Sequence, residues 1–165
     1  MATSTEATLR AVIVAAIQGV AQSDLDFDDV KGNVRDYPLE MHHEEDLAGY
    51  LKAKVKGEQV MRCWAVDVRA HDEPFALNQV HRRVYAIRIF GYYSKGANGE
   101  SYKDMIDHAR VIRGQIRLLS NNLSGTVNRI VAATPLDIAE RTGLGVGKMY
   151  QGLMTYTAER NNPDY

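Results

Sequence analysis

A chain of 165 residues, 45% hydrophobic and 25% charged, is long enough to bury one ordinary core and shows no bias towards disorder or fibre. Its formal net charge of −1 argues against a surface built as a whole to hold nucleic acid. No apolar run approaches the ~18–20 residues of a membrane span, and Met1–Glu6 lacks the basic start of a secretion signal. The single cysteine, Cys63, leaves the core without an internal disulfide, as suits a reducing compartment.

The charge is uneven along the chain. Ala21–Asp46 carries nine acidic residues against Lys31 and Arg35, whereas His81–Arg117 carries eight basic residues against three acidic. Two readings fit: solvated faces of one domain, or opposite poles through which copies meet head to tail by unlike patches.

The first expected element is a helix over Thr5–Val20. Leu9, Val12, Ile13, Ala16, Ile17 and Val20 share one face, and Thr3 with Glu6 has capping-box spacing. Residues 23–45 show no sustained period and read as a long acidic loop pinned by Phe27, Val30, Val34, Tyr37 and Leu39. A short helix over Glu45–Lys54 follows, with Leu47, Tyr50 and Leu51 turned inward. Two long strands come next. Gln59–His71 sets Val60, Trp64, Val66 and Val68 on one face; Val84–Lys95 sets Tyr85, Ile87, Ile89 and Tyr93 on one face and Val84, Ala86, Phe90 and Tyr92 on the other. Strands of that length outrun a domain of this size, so part of the hairpin should project, with Phe75, Leu77 and Val80 in its connection.

Ser101 opens the most regular helix, capped by Ser101 and Asp104, lined by Met105, Ala109, Ile112, Ile116 and Leu119, and ending near Asn121. Two closing strands, Thr126–Ala133 and Lys148–Arg160, are joined through Thr134-Pro135 and the glycine-rich stretch 143–147. The expectation is one α+β domain over residues 1–160, with a flexible tail at 161–165. Two main helices pack on one face of an antiparallel sheet that carries the long hairpin.

Chemistry is sparse. His42 and His43 adjoin Glu44, Glu45 and Asp46, and His71 adjoins Asp72 and Glu73, but no compact metal-ligand spacing is present and no metal or cofactor is expected. His108, four residues after Asp104, reads as an ordinary surface pair. Cys63, in mid-strand beside Trp64, reads as a small core side chain. The glycines at 143–147 follow a strand and precede another, where a phosphate loop would open a helix. No catalytic residue is assigned. The interface candidates are Asp24, Asp26, Asp28 and Asp29 in the acidic segment, and Arg110, Arg113 and Arg117, at i, i+3 and i+7 on the second main helix. Phe75 and Leu77 join them. So does Arg88, whose apolar strand neighbours place it at a sheet edge or beside an acidic partner.

The stretch Arg82–Glu159 carries VYAIRIFGYYS, SYKDMIDHARVIRGQIR, TVNRIVAATPLD and KMYQGLMTYTAE in order. With the preceding helix, this succession resembles phage tail-terminator and neck proteins over about three quarters of the chain, through element order and not a residue signature. The resemblance implies a non-enzymatic virion part assembled in the host cytoplasm. Such a part is a ring, six-membered in that family, on the head-proximal end of the tail tube. It implies as partners further copies of the chain, the tube protein, a neck or connector protein and a sheath terminal ring, with nucleic acid only as the passing genome. Another tail, baseplate or head-joining ring is the alternative within that class. A small metal-dependent or nucleotide-binding enzyme around His42, His43 and His71 is the alternative outside it.

Overall fold

The computed structural model describes residues 5–37, 44–74, 81–94, 100–119, 123–142 and 147–162. Phe75, Leu77, His42 and His43 lie outside them. The described chain forms α1 (Thr5–Gln18), α2 (Ala21–Asp24), β1 (Val34–Arg35), α3 (Glu44–Leu51), β2 (Lys52–Val55) and β3 (Glu58–Pro74). It continues through β4 (His81–Ser94), α4 (Glu100–Leu118), β5 (Arg129–Ala133), β6 (Asp137–Arg141) and β7 (Met149–Asn162). The sheet runs β1-β3-β4-β7-β5, with β2 also on β3 and β6 also on β7, and every pairing except β1–β3 is antiparallel. The fold is α+β.

Alternation along the strands sorts the two sheet faces. Trp64, Val66 and Val68 of β3, Tyr85, Ile87, Ile89 and Tyr93 of β4, and Met154, Tyr156 and Ala158 of β7 form one face. They pack against Leu9, Ile13 and Ile17 of α1 and Met105, Ala109, Ile112 and Ile116 of α4. Both main helices therefore cover the same side, as expected. Trp64 and Gly91 are direct partners, and a Cβ on Gly91 would fall 2.8 Å from the indole. The absence of a side chain there is what admits the indole. On the far face Cys63, Ala65, Tyr92 and Met149 gather with Leu51, the last residue of α3.

Five local expectations change. Residues 23–45 are not one loop: α2 and β1 lie within them, and β1 pairs in parallel with Trp64 and Ala65. The short helix stops at Leu51, because Lys52–Val55 alternates exposed lysine with inward Ala53 and Val55 and forms a hairpin with Glu58–Met61. Lys56 and Gly57, both at positive φ, make its two-residue turn. Asp137–Arg141 adds a strand between the two closing ones. Asn161 and Asn162 end β7 and are no loose tail. Ser101 does not open α4, which begins at Glu100.

At ~3.3 Å per residue the 17 residues of β3 span roughly 56 Å, whereas α4's 19 residues at ~1.5 Å reach roughly 29 Å. The first turn of α1 still reaches Ala70 and Arg160, so the strands outrun the helices only beyond that level. β4 stays paired on both sides as far as His81, with Pro74 and with Asn162, so the projecting part is a three-stranded ribbon and not a bare hairpin.

Candidate assembly interface

The sheet ends in two unlike edges. On one side β2 and β1 cover Glu58–Met61 and Trp64–Ala65 of β3, and from Val66 to Pro74 no described strand but β4 pairs with it. Trp64 N donates outward to Asn33 O at 2.9 Å, and Ala70 N donates outward to Glu6 Oε1 at 2.8 Å. Even-numbered residues of β3 thus turn their backbone amides away from β4, Val66 and Val68 among them. Glu6, in the first turn of α1, caps this edge, and Thr3, its expected capping-box partner, lies outside the described residues.

On the other side β5 and β6 lie end to end along β7. Asn128 and Thr134 donate their amides inward, to Glu159 O at 2.8 Å and Thr155 O at 2.9 Å. Val131 is 40% exposed, and Ala132 and Ala133 are exposed beside it. Edge strands are usually guarded by lysine, proline or inward charge. β2 has its lysines and β6 its Asp137, Glu140 and Arg141, whereas Ile130–Ala133 of β5 carries no charge and only a register bulge between Ile130 and Ala132. The steps β3 to β4, β4 to β7 and β7 to β5 are each antiparallel, so β5 runs antiparallel to β3. A second copy set beside the first in the same orientation would continue the sheet in its own antiparallel sense.

The charged candidates are largely committed within the chain. Asp28 accepts from Lys56 N at 2.7 Å and Gly57 N at 2.9 Å, holding the β2–β3 turn. Asp29 accepts from Lys31 N at 2.9 Å, and Asp24 from Ser23 Oγ at 2.6 Å. Asp26 lies 3.5 Å from both Lys56 Nζ and His108 Nε2. Arg113 is no outward hook, because its guanidinium donates to Thr134 O at 2.6 Å and ties α4 to the β5–β6 link. Arg110 pairs with Asp107 at 3.1 Å, and Arg117 is exposed. Arg88 stands on a central strand, not an edge, in an ion pair with Asp67, its direct cross-strand partner.

The residue most misplaced by sequence reasoning is His108. It is 5% exposed, because it follows Met105 by three and falls on α4's buried face. Trp64 Nε1–H donates to Tyr93 Oη at 2.9 Å, which turns the tyrosine proton to His108 Nδ1 at 2.6 Å. The ring proton is therefore on Nε2, facing Asp26. Burial, then the nearby Arg62 charge, pushes the imidazole below its ordinary pKa, while Asp26 and Asp104 oppose them. Arg62, 7% exposed, lies 4.7 Å from the Tyr93 ring centre and closes the network onto Asp104 at 3.1 Å and Leu25 O at 3.2 Å.

Cys63 is fully buried, and burial pushes its thiol up to about 12, which makes it a neutral core side chain at pH 7. Among the described residues no three His, Cys, Asp or Glu side chains converge on a metal position, and no helix is long and apolar enough to cross a membrane. Two shallow grooves flank β1. One, of about 340 Å³, has Asp29, Arg35, Lys52 and Lys54 on its walls; the other, of about 440 Å³, lies between Arg10, Val14 and Arg35. No protein-family model matches the chain, and no curated protein matches its sequence.

Proposed function

We propose that the chain is a non-enzymatic assembly subunit that joins copies of itself head to tail, as a tail terminator at the head-proximal end of a phage tail tube. The observation that carries this reading is the pair of unlike sheet edges. The uncharged stretch Ile130–Ala133 of β5 and the stretch Val66–Pro74 of β3, which no described strand but β4 pairs and which Glu6 caps at Ala70, run antiparallel to each other in one subunit. A heterologous joint of this kind yields a closed ring or an open filament, and the ring is the form the tail-terminator resemblance implies. Backbone pairing across such a joint would supply contact that salt does not screen. The projecting ribbon is a surface for a tube or connector partner.

Native mass spectrometry of the parent and of Val131→Lys/Ala133→Lys tests the reading. The lysines reproduce the guard that β2 already carries, so the parent should give one closed oligomer and the variant a monomer with unchanged circular dichroism. An oligomer indifferent to both lysines overturns the edge joint. A parent that stays monomeric even with purified tail tube overturns the ring.

A further inference from the structure

Given the edge joint proposed above, we infer that the first turn of α1 is an autoinhibitory latch on β3, which must let go before a second copy's strand can pair there. The stretch Val66–Pro74 offers as outward donors the amides of Val66, Val68, Ala70 and Asp72, since Pro74 has none. One of them is already taken. Glu6 Oε1 accepts from Ala70 N at 2.8 Å.

Glu6 is placed for this contact. It heads the stripe of α1 that faces the sheet, whose next members are Leu9, Ile13 and Ile17, all buried. A carboxylate at the head of that stripe meets a backbone donor where the others meet apolar side chains. The turn is tied on its other flank as well: Arg160 Nη1 of β7 donates to Thr5 Oγ1 at 3.2 Å. Ala70 pairs with Tyr85 and Tyr85 with Ala158, so the turn bridges from β3 over β4 to β7.

A strand paired along Val66–Asp72 must take the Ala70 N–H for one of its own carbonyls, because an antiparallel ladder uses the N–H and C=O of every second residue. Glu6 and that carbonyl compete for one donor. A charged acceptor makes the stronger single bond, so the latch yields only when the other ladder bonds form together with this one. Edge pairing thereby becomes all-or-none, and encounters that offer one or two bonds are turned away. The latch sets the concentration at which copies join.

The test follows the oligomer by native mass spectrometry over a dilution series, in the parent and in Glu6→Ala, Glu6→Asp and Glu6→Gln. Loss of a hydrogen bond to a charged acceptor predicts that Glu6→Ala lowers the midpoint concentration of assembly by about tenfold or more. Glu6→Asp keeps the charge but loses the reach and should behave like Glu6→Ala, whereas Glu6→Gln keeps a neutral acceptor and should fall between. Thr5→Val, which deletes only the acceptor for Arg160, should shift the midpoint the same way by less. Hydrogen exchange is read in the Val131→Lys/Ala133→Lys background, where the joint is blocked. There the Ala70 amide should exchange about tenfold faster or more in Glu6→Ala and Glu6→Asp. Circular dichroism checks that each variant is folded, and Glu6→Gln carries the test if the others are not. Glu6 variants that assemble at the parent's concentration, a Glu6→Asp that matches the parent, or an Ala70 amide that exchanges at one rate throughout overturns the latch and leaves the joint intact. An oligomer indifferent to both lysines removes the joint, and the latch falls with it.

Discussion

Replacing Tyr93 by Phe keeps the ring that packs edge-on to Trp64, with centres 5.8 Å apart, and deletes only the hydroxyl. That hydroxyl accepts from Trp64 Nε1 and donates to His108 Nδ1, both buried. Each orphaned group costs about 1–3 kcal/mol, so the substitution should cost at least about 2 kcal/mol. For a domain of this size that is a drop in Tm of roughly 4–8 °C. Trp64 is the sole tryptophan and is fully buried, so its fluorescence during urea unfolding reports the transition without a label. The slope of stability against urea should stay unchanged while the midpoint falls. In a His108→Leu background the same substitution orphans only the indole N–H and should cost less, the difference being the coupling between the two sites. A loss below about 0.5 kcal/mol in the parent background would show that the three rings do not share the hydroxyl as described.

Acidification should destabilise the protein through His108. Its native pKa lies below the unfolded value of 6.5, so the unfolded chain takes up the proton first. Stability is therefore complete above about pH 6.5 and falls as pH drops towards the depressed native value, by up to about 1.4 kcal/mol per pH unit. Urea titrations of parent and His108→Gln should differ in that slope, and equal slopes would refute the assignment. Ile112→Ala, at a fully buried position under the sheet, should cost about 2–5 kcal/mol by the same assay, and a loss under half a kcal/mol would mean the wrong face of α4 is buried. Glu6→Ala removes the acceptor from Ala70 N–H and should let copies associate at lower protein concentration in native mass spectra. Chelator treatment should leave Tm and oligomeric state unchanged, and one tightly held zinc per chain by elemental analysis would overturn that.

The sheet was legible because both long strands show clean period-two burial: Trp64, Val66 and Val68, and Tyr85, Ile87 and Ile89, face the side their spacing predicts. α4 was legible for the matching reason at period 3.6. The short pieces were not. β6 reads Asp-Ile-Ala-Glu-Arg and buries little, so it has no apolar stripe for alternation to reveal. β1 is two residues held by backbone pairing to a distant strand, which no local pattern encodes. Charge was the poorest guide. The aspartates at 26, 28 and 29 looked like a patch, yet the chain spends them on its own turns and on His108, and only the folded path of the backbone decides that. His108 could have been placed, since it stands three residues after Met105, but its separation of four from Asp104 supplied a competing surface reading.

Trp64 and Gly91 are two positions that cannot drift separately. The indole fills the volume a side chain at 91 would need, and the strand register holds the two backbones in place. Any lineage that enlarges residue 91 must first shrink residue 64, and doing so strips the Tyr93 hydroxyl of its donor and frees it to turn away from His108. A change at one glycine thereby reaches the acidic segment through Asp26. Sequences descended from a common ancestor with this one should keep the tryptophan and glycine together or lose both.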